Sequence, residues 1–113
     1  MKYDAPSWLN RDGRTYYRRI APALQERGIL DATTVDLVAM AAHAYSTYRE
    51  AERHLAEEGR VITTKSGTMK PNPWLTVQKQ AFDSLSRVYR QLGVTEDIRP
   101  TADDLDSFLD DDE

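Results

Sequence analysis

The chain lacks cysteine altogether. Disulfide bridges, thiolate metal sites and cysteine nucleophiles are therefore excluded. Long apolar runs are missing too, since none approaches the roughly 18 residues that a membrane-spanning helix requires. Aromatic residues make up only 9% of the 113 residues and hydrophobic residues 40%, enough for one modest core but not for a deep enclosed substrate cavity. We therefore expect one small soluble domain, and the length excludes a large multidomain enzyme.

The net charge of -4 conceals an uneven distribution of charge along the chain. Residues 1–102 contain all 15 basic residues and 12 of the acidic ones, a balance of +3, whereas residues 103–113 contain seven acids and no base. Such asymmetry predicts a weakly basic folded body, residues 1–100, and an acidic tail, residues 101–113. The tail has too few apolar residues to form a packed segment, so we expect it to be disordered or a frayed helix in isolation.

The body has the apolar periodicity of a mostly helical protein. A first helix is predicted from Asn10, a good N-cap, to about Ile20. Pro22 lacks the amide that a continuous helix would use, so we expect a break near Ala21 and a second short piece as far as Arg27. The sequence thus predicts a short N-terminal helix pair.

Two longer helices are expected further along the chain. One follows a capping sequence at residues 31–34 and continues to Glu58, with Gly59 in the C-cap position. The other extends from Pro73 to about Gln91, with Asn72 available as its cap. Between them, residues 60–70 are rich in β-branched side chains around a turn and predict a short β-hairpin or ordered loop.

Apolar residues recur along both long helices at helical spacing. The last helix is expected to bury Trp74, Val77, Ala81, Leu85, Val88 and Leu92. The preceding helix carries an a/d seam of Leu37, Ala41, Ala44, Tyr48, Ala51 and Leu55. We expect this seam to pack mainly against helices of the same chain, while its alanines leave a contact with a second subunit open.

Patterns that support catalysis or metal binding are absent from the sequence. His43 and His54 are eleven residues apart on one predicted helix, roughly 16 Å, which is too far to share a metal ion. We interpret both as surface or packing residues. The tail acids lack the glycine and ligand spacing of an EF-hand loop, and no P-loop, nucleotide-binding glycine pattern or nucleophile elbow occurs. We expect no enzyme activity, no metal and no cofactor.

The basic residues are more informative. Arg11, Arg14 and Arg18 are spaced i, i+3 and i+7, which places them on one helical face. Lys65 and Lys70 flank the turn of the predicted hairpin. Distributed cations suit the phosphate backbone of DNA, so these five residues are the candidate DNA contacts, with a merely solvated face as the alternative. A weaker basic stripe on the last helix comprises Lys79, Arg87 and Arg90.

Three apolar residues interrupt the acidic tail. Leu105, Phe108 and Leu109 fall at i, i+3 and i+4, so they would align on one face if a partner induced a helix. They form a candidate partner-binding motif. The alternative is a tail that only adds solubility.

Short motifs along the body resemble, in their order and spacing, those of the small terminase subunits of tailed phages. The resemblance covers roughly Pro6 to Arg99. The motifs are Pro6-Ser7-Trp8-Leu9, Tyr17-Arg18-Arg19-Ile20-Ala21-Pro22-Ala23-Leu24, Gly28-Ile29-Leu30, Ala44-Tyr45, Tyr48-Arg49-Glu50-Ala51-Glu52, Glu58-Gly59, Lys70-Pro71-Asn72-Pro73 and Leu92-Gly93-Val94-Thr95.

This resemblance implies a non-catalytic packaging factor in the host cell cytoplasm, with no membrane association. Such a factor binds double-stranded viral DNA, assembles into a cyclic homo-oligomer, and recruits or stimulates a large terminase subunit that carries the ATPase and nuclease. The tail motif would then contact the large subunit.

Two other classes of protein are weaker alternatives. A small helical transcription regulator would read DNA with a short recognition helix, whereas the helix predicted from Thr34 to Glu58 is long and mostly apolar or acidic. A toxin-like nuclease would require a cluster of carboxylate, histidine and lysine that the sequence does not offer.

Overall fold

Three α-helices and one β-hairpin make up residues 3–94, the part of the chain that this computed structural model describes. The elements are α1 (Arg11–Glu26), α2 (Val35–Glu58), β1 (Val61–Thr63), β2 (Met69–Pro71) and α3 (Trp74–Leu92). The predicted mostly helical fold with two long helices and a short hairpin is confirmed. The acidic tail and its boundary at residue 100 lie outside the described residues.

The first helix is continuous, so the predicted break near Ala21 and the resulting helix pair are wrong. Pro22 lies inside α1 on its exposed side, where its ring removes the hydrogen bond that would go to the Arg18 carbonyl. An interior proline costs a helix about 3 kcal/mol. The flanking Ala21 and Leu24 are both fully buried, and burying one leucine-sized side chain contributes about 1.5–3 kcal/mol. Packing of this face therefore offsets the proline.

The two other predicted helix starts and stops are close to the observed ones. Ahead of α2, the Asp31 Oδ1 atom accepts hydrogen bonds from the backbone N–H groups of Thr33 at 2.8 Å and Thr34 at 3.1 Å. At its end, Gly59 has a φ of +86°, a conformation that side chains rarely adopt. Asp31 thus caps the turn that leads into α2, whereas Thr34, directly before the helix, makes no side-chain capping bond. The predicted stop is confirmed, and α3 begins at Trp74, one residue later than expected.

Helix α2 packs against both other helices. Four residues of the predicted seam, Ala41, Ala44, Ala51 and Leu55, are buried, and Tyr48 lies with its ring 6.3 Å from that of Phe82 on α3. The seam is therefore used inside the chain.

A second stripe of α2, which the sequence periodicity did not reveal, faces α1. The ring of Tyr45 stacks on that of Tyr16 at 4.3 Å and 14°. The two backbones come close at Gly13, where an added Cβ would stand only 3.2 Å from the Ala42 carbonyl oxygen. Glycine at this position therefore permits the close approach of α1 and α2.

Helix α3 completes the core. Ala81, Leu85 and Val88 are buried as predicted, whereas Trp74, Val77 and Leu92 are only half-buried. The largest buried side chain of α3 is Tyr89, which the prediction omitted.

The hydroxyl groups of Tyr89 and Tyr16 are hydrogen-bonded to each other in the interior. This pair joins α1 to α3 while Tyr16 also stacks on α2, so all three helices meet at one tyrosine. Burial raises the pKa of Tyr89 to about 12. Burial, together with the neighbouring Tyr89, raises the pKa of Tyr16 well above its ordinary value.

The hairpin is fixed at its base by Asn72, which is 1% exposed. The Asn72 Nδ2 group donates to the Gly59 carbonyl at 2.8 Å and to Glu58 Oε1 at 3.2 Å, and its Oδ1 atom accepts from the Trp74 N–H at 3.0 Å. The predicted capping role of Asn72 is confirmed. One side chain thus joins the end of α2 to the start of α3 and sets where the hairpin leaves the bundle.

The tyrosine pair predicts a loss of stability at alkaline pH. Below pH 10 both phenols are protonated in the folded and unfolded states, so their ionisation does not make the free energy of unfolding vary with pH. Above pH 10 the unfolded chain releases protons that the folded protein retains, so the free energy of unfolding falls by about 1.4 kcal/mol per pH unit for each phenol.

Urea unfolding between pH 9 and pH 12 measures this effect. In the Tyr16→Phe/Tyr89→Phe variant the pH dependence should be strongly reduced, while Tyr3→Phe, a change at a half-buried tyrosine outside the pair, should retain it. An unchanged slope in the double variant would contradict the prediction.

Candidate nucleic-acid interface

The three candidate arginines of α1 do not have equivalent surroundings. Arg11 and Arg18 are exposed, on the face of α1 opposite to the fully buried Tyr16 and Tyr17. Arg14 is half-buried at the edge of that face. Arg11 and Arg18 therefore share an exposed face, as predicted, whereas Arg14 is less accessible to solvent.

Arg14 is attached to the chain segment that precedes α1. Its Nη2 group donates a hydrogen bond to the Leu9 carbonyl oxygen at 2.8 Å. Its Nε atom is buried and has no hydrogen-bond partner among residues 3–94. Leu9 itself is 2% exposed, so this contact fixes a core residue as well as the guanidinium.

Arg18 lies farther along the same helix. With Asp4, Ala5 and Pro22 it lines a shallow surface depression of about 450 Å³. A carboxylate near a guanidinium lowers the local positive potential. Arg18 is therefore a weaker attractant for phosphate than its exposure alone indicates.

A cation that the sequence did not predict pairs with the acidic neighbour of Arg11 in the chain. Arg53 of α2 forms an ion pair with Asp12, 2.7 Å between Nη2 and Oδ2. Exposed pairs of this kind contribute at most about 1 kcal/mol to stability. The larger effect is on charge, because Arg53 neutralises the carboxylate that would otherwise offset Arg11. The two partners are 41 residues apart, and no local pattern could have revealed their contact.

The two hairpin cations are both at the surface. Lys65 is exposed in the turn, and Lys70 is exposed on β2 opposite Ile62. Arg53 and Gly59, where the hairpin begins to leave α2, are six residues apart, about 9 Å along the helix axis. Through the Arg53–Asp12 pair the first turn of α1 therefore lies near the base of the hairpin.

The remaining predicted site residues divide into two groups. Lys79, Arg87 and Arg90 are exposed on α3, as the weaker stripe required. The tail motif of Leu105, Phe108 and Leu109 lies outside the described residues.

The histidines have packing contacts, as predicted. The His54 ring stacks on Trp74 at 4.0 Å and 5°, and its Nδ1 atom is hydrogen-bonded to Glu58 Oε2 at 2.8 Å. The exposed His43 ring lies 6.4 Å from that of Trp8. Within residues 3–94 no group of three or more potential ligands could hold a metal ion, and no helix there is long and apolar enough to cross a membrane.

The contrast between the arginines predicts a difference in stability. Arg14→Met should lower the free energy of unfolding by about 1–3 kcal/mol, because the variant cannot form the charged hydrogen bond to Leu9. Arg11→Met should change it by less than about 0.5 kcal/mol, since its side chain is exposed. Urea unfolding of both variants at neutral pH gives the comparison, and equal stabilities would contradict a structural role for Arg14.

Comparison with known proteins identifies the family of the chain. Residues 13–101 match the family described as phage terminase, small subunit. No curated protein and no solved structure matches the chain. The matched range includes nearly all of α1 and the whole of α2, the hairpin and α3. It covers well over half of the sequence, and the chain therefore belongs to the phage terminase small subunit family.

Proposed function

We propose that this protein is the non-catalytic small subunit of a phage or prophage DNA-packaging motor. It binds double-stranded viral DNA as a cyclic homo-oligomer in the host cell cytoplasm, and it recruits or stimulates the large subunit that carries the ATPase and nuclease. The family match over residues 13–101 carries this proposal. Residues 1–100 act as the DNA-binding and oligomerisation body, and residues 101–113 act as the acidic tail.

The charge of the body supports DNA binding. Residues 3–94 contain 13 basic and 10 acidic residues, a balance of +3. So small an excess gives weak, salt-sensitive binding for one subunit. Repetition around a ring raises the effective concentration of the second and later contacts, so weak sites act together.

The DNA contacts that we propose are Arg11, Arg14, Arg18, Lys65 and Lys70. Arg11 has the most favourable position, because it is exposed and Arg53 neutralises its acidic neighbour. Arg14 supplies charge from a fixed position, and Lys65 and Lys70 extend the surface onto the hairpin.

Charge reversal on α1 tests the DNA surface. The Arg11→Glu/Arg18→Glu variant avoids Arg14, so its fold is expected to be intact. We expect at least about tenfold weaker binding to double-stranded DNA, and a log–log salt slope that falls by about 0.9 for each phosphate that the variant no longer neutralises. Fluorescence anisotropy across a salt series measures both quantities.

The matched control is Arg11→Lys/Arg18→Lys, which keeps the charge and should keep most of the affinity. Adding Arg14→Glu to the reversed variant should remove the remaining gel shift. Because this change also breaks the hydrogen bond to Leu9, the triple variant is compared only where circular dichroism and light scattering show the wild-type fold and oligomer size. DNA binding at wild-type strength after the double reversal would refute the α1 surface and shift attention to the hairpin and α3.

The tail carries the proposed contact with the large subunit. Deleting residues 101–113 should leave DNA binding intact or stronger, because seven negative charges are removed, and should abolish stimulation of the large-subunit ATPase. The Phe108→Ala/Leu109→Ala variant keeps every charge and should lose the stimulation as well. A charge control, Asp110→Asn/Asp111→Asn/Asp112→Asn, keeps the apolar motif.

Co-purification with the large subunit, combined with its ATPase rate, gives the readout for all three variants. Full stimulation by the double alanine variant would leave the tail as a solubilising segment only. Failure of the charge control would instead assign recognition to the acids.

The rival function, transcriptional regulation, makes a different prediction in the same experiment. Exposed positions in the first half of α2 include Asp36, Met40 and His43, a poor set for reading base edges. A regulator would bind one operator sequence tightly and would not co-purify with a large terminase subunit.

A further inference from the structure

An open apolar groove lies between α2 and α3. Its lining includes Trp8, Met40, Ala44, Val77, Ala81 and Val88, and its volume is about 500 Å³. Two of the largest side chains in it are far from buried, since Trp8 is 60% exposed and Met40 55% exposed. Clustered exposed apolar side chains in a concave site are a feature of contact surfaces. We call this site the α2–α3 groove.

A second exposed apolar surface lies on the hairpin. The strand register places Val61 opposite Pro71 and Thr63 opposite Met69, so these four residues share one face. On this outer hairpin face Val61 is 53% and Met69 70% exposed. Ile62, on the other face, is half-buried. The hairpin therefore presents Val61 and Met69 outward, whereas Ile62 is more covered.

We propose that the outer hairpin face of one subunit docks into the α2–α3 groove of a second copy of the chain. This inference rests on the proposed ring and specifies its interface. The groove supplies a concave apolar surface, and the hairpin supplies a narrow apolar ridge. In an isolated subunit the groove and the outer hairpin face both leave apolar area exposed to water. Contact between the two surfaces buries that area, which is favourable.

Charge complementarity favours the hairpin as occupant. From Arg60 to Pro71 the hairpin carries three cations, Arg60, Lys65 and Lys70, and no acid. The groove is flanked mainly by acids. Asp36 lies one turn before Met40, and Glu50 lies three residues after Thr47 on the exposed side of α2.

On α3, the exposed Asp83 adjoins the groove residue Ser84, with Arg87 as a cation one turn further. Lys79, next to the groove residue Gln80, is a second cation, so the flanks carry three acids against two cations. A hairpin of charge +3 is attracted to such a rim. The acidic tail has the opposite charge and is a poorer occupant, because its seven acids would face the same three carboxylates.

The geometry favours contact between chains rather than within one. Asn72 holds the hairpin at the junction of α2 and α3, and the groove extends along α3 from Val77 to Val88. Val61 and Met69 remain 53% and 70% exposed, so the outer hairpin face does not occupy the groove of its own chain. Each subunit thus presents the hairpin and the groove as two different surfaces. Contacts between unlike surfaces are heterologous, and they produce a closed ring when the rotation between subunits permits.

The absence of native cysteine allows a direct test by thiol cross-linking of the full-length protein. Met69→Cys places a thiol on the outer hairpin face, and Gln80→Cys places one in the groove. When the two single variants are mixed and treated with a short bis-maleimide, we expect a covalent dimer. The Met69→Cys/Gln80→Cys double variant should give a ladder that ends at the ring size.

The matched control pairs Met69→Cys with Ala56→Cys, an exposed residue of α2 that does not line the groove. That mixture should give no covalent dimer. Equal cross-linking of the groove and control pairs would overturn the proposal.

Polar substitution of the hairpin gives an independent readout. Val61→Ser/Met69→Ser changes two side chains that are already exposed, so the subunit should keep its helical circular dichroism. We expect subunit association to weaken by at least about tenfold, as measured by light scattering over a concentration series. Met40→Lys in the groove should have a similar effect, because it removes an apolar contact and adds a charge of the same sign as the hairpin. The combination should be no worse than the stronger single change, because both act on one interface.

The outcomes separate this inference from the proposed function. An oligomer that resists these substitutions, or lacks the Met69–Gln80 cross-link, refutes the docking but leaves the packaging role intact. Cross-linked rings that never stimulate a large subunit refute the packaging role but support the docking. A wild-type protein that stays monomeric at micromolar concentration refutes the docking and the ring together.

Discussion

The fold depends on Tyr16, the residue at which all three helices meet. Its ring stacks on Tyr45 of α2, and its hydroxyl group is bonded to that of Tyr89 on α3. A small domain has few residues that are completely buried, so a side chain shared by three elements specifies their relative positions more strongly than any pairwise contact. The exposed arginines of α1 lie on the other side of the same helix, and the packing of Tyr16 therefore sets the direction in which they point.

The same coupling between packing and surface charge recurs near the C-terminal end of α2. The Arg53–Asp12 pair changes the charge around Arg11, and Asn72 fixes the base of the hairpin that carries Lys65 and Lys70. Neither contact contributes much to a core. Each one instead determines which cations lie together on the surface. Binding to a phosphate backbone would depend on that arrangement of charge.

Periodicity and capping rules were sufficient to predict the helices, the hairpin, the stop at Gly59 and the cap at Asn72. These features depend on neighbouring residues, and local rules describe them well. The error at Pro22 has a different origin, because the burial of Ala21 and Leu24 is a tertiary term that outweighs the local cost of proline. The second stripe of α2 was missed because α2 is buried on two sides, whereas a single apolar stripe was expected. Tyr89 lies on α3 outside the predicted stripe, and it is paired with Tyr16, 73 residues away in the sequence.

In the candidate site too, features set by local sequence were predicted and features set by tertiary contacts were not. The exposure of Arg11, Arg18, Lys65 and Lys70 agrees with a solvated basic surface. Helix spacing predicted the shared face of Arg11 and Arg18, and the hairpin pattern placed Lys65 and Lys70 on either side of a turn. The attachment of Arg14 to Leu9 and the approach of Arg53 to Asp12 depend on how distant or non-helical segments fold back. Sequence spacing contains no information about such contacts. The predicted tail motif lies outside the described residues.

The position of Asn72 also has a consequence for how the hairpin can vary in length. Its hydrogen bonds involve Glu58, Gly59 and Trp74, and none of them reaches the turn at Lys65-Ser66-Gly67, which is exposed. Residues inserted at that turn would lengthen the hairpin without disturbing its anchor or the register of α2 against α3. Related chains could therefore differ in how far the hairpin extends while keeping the same helical body, and the turn is the natural place to graft a peptide tag.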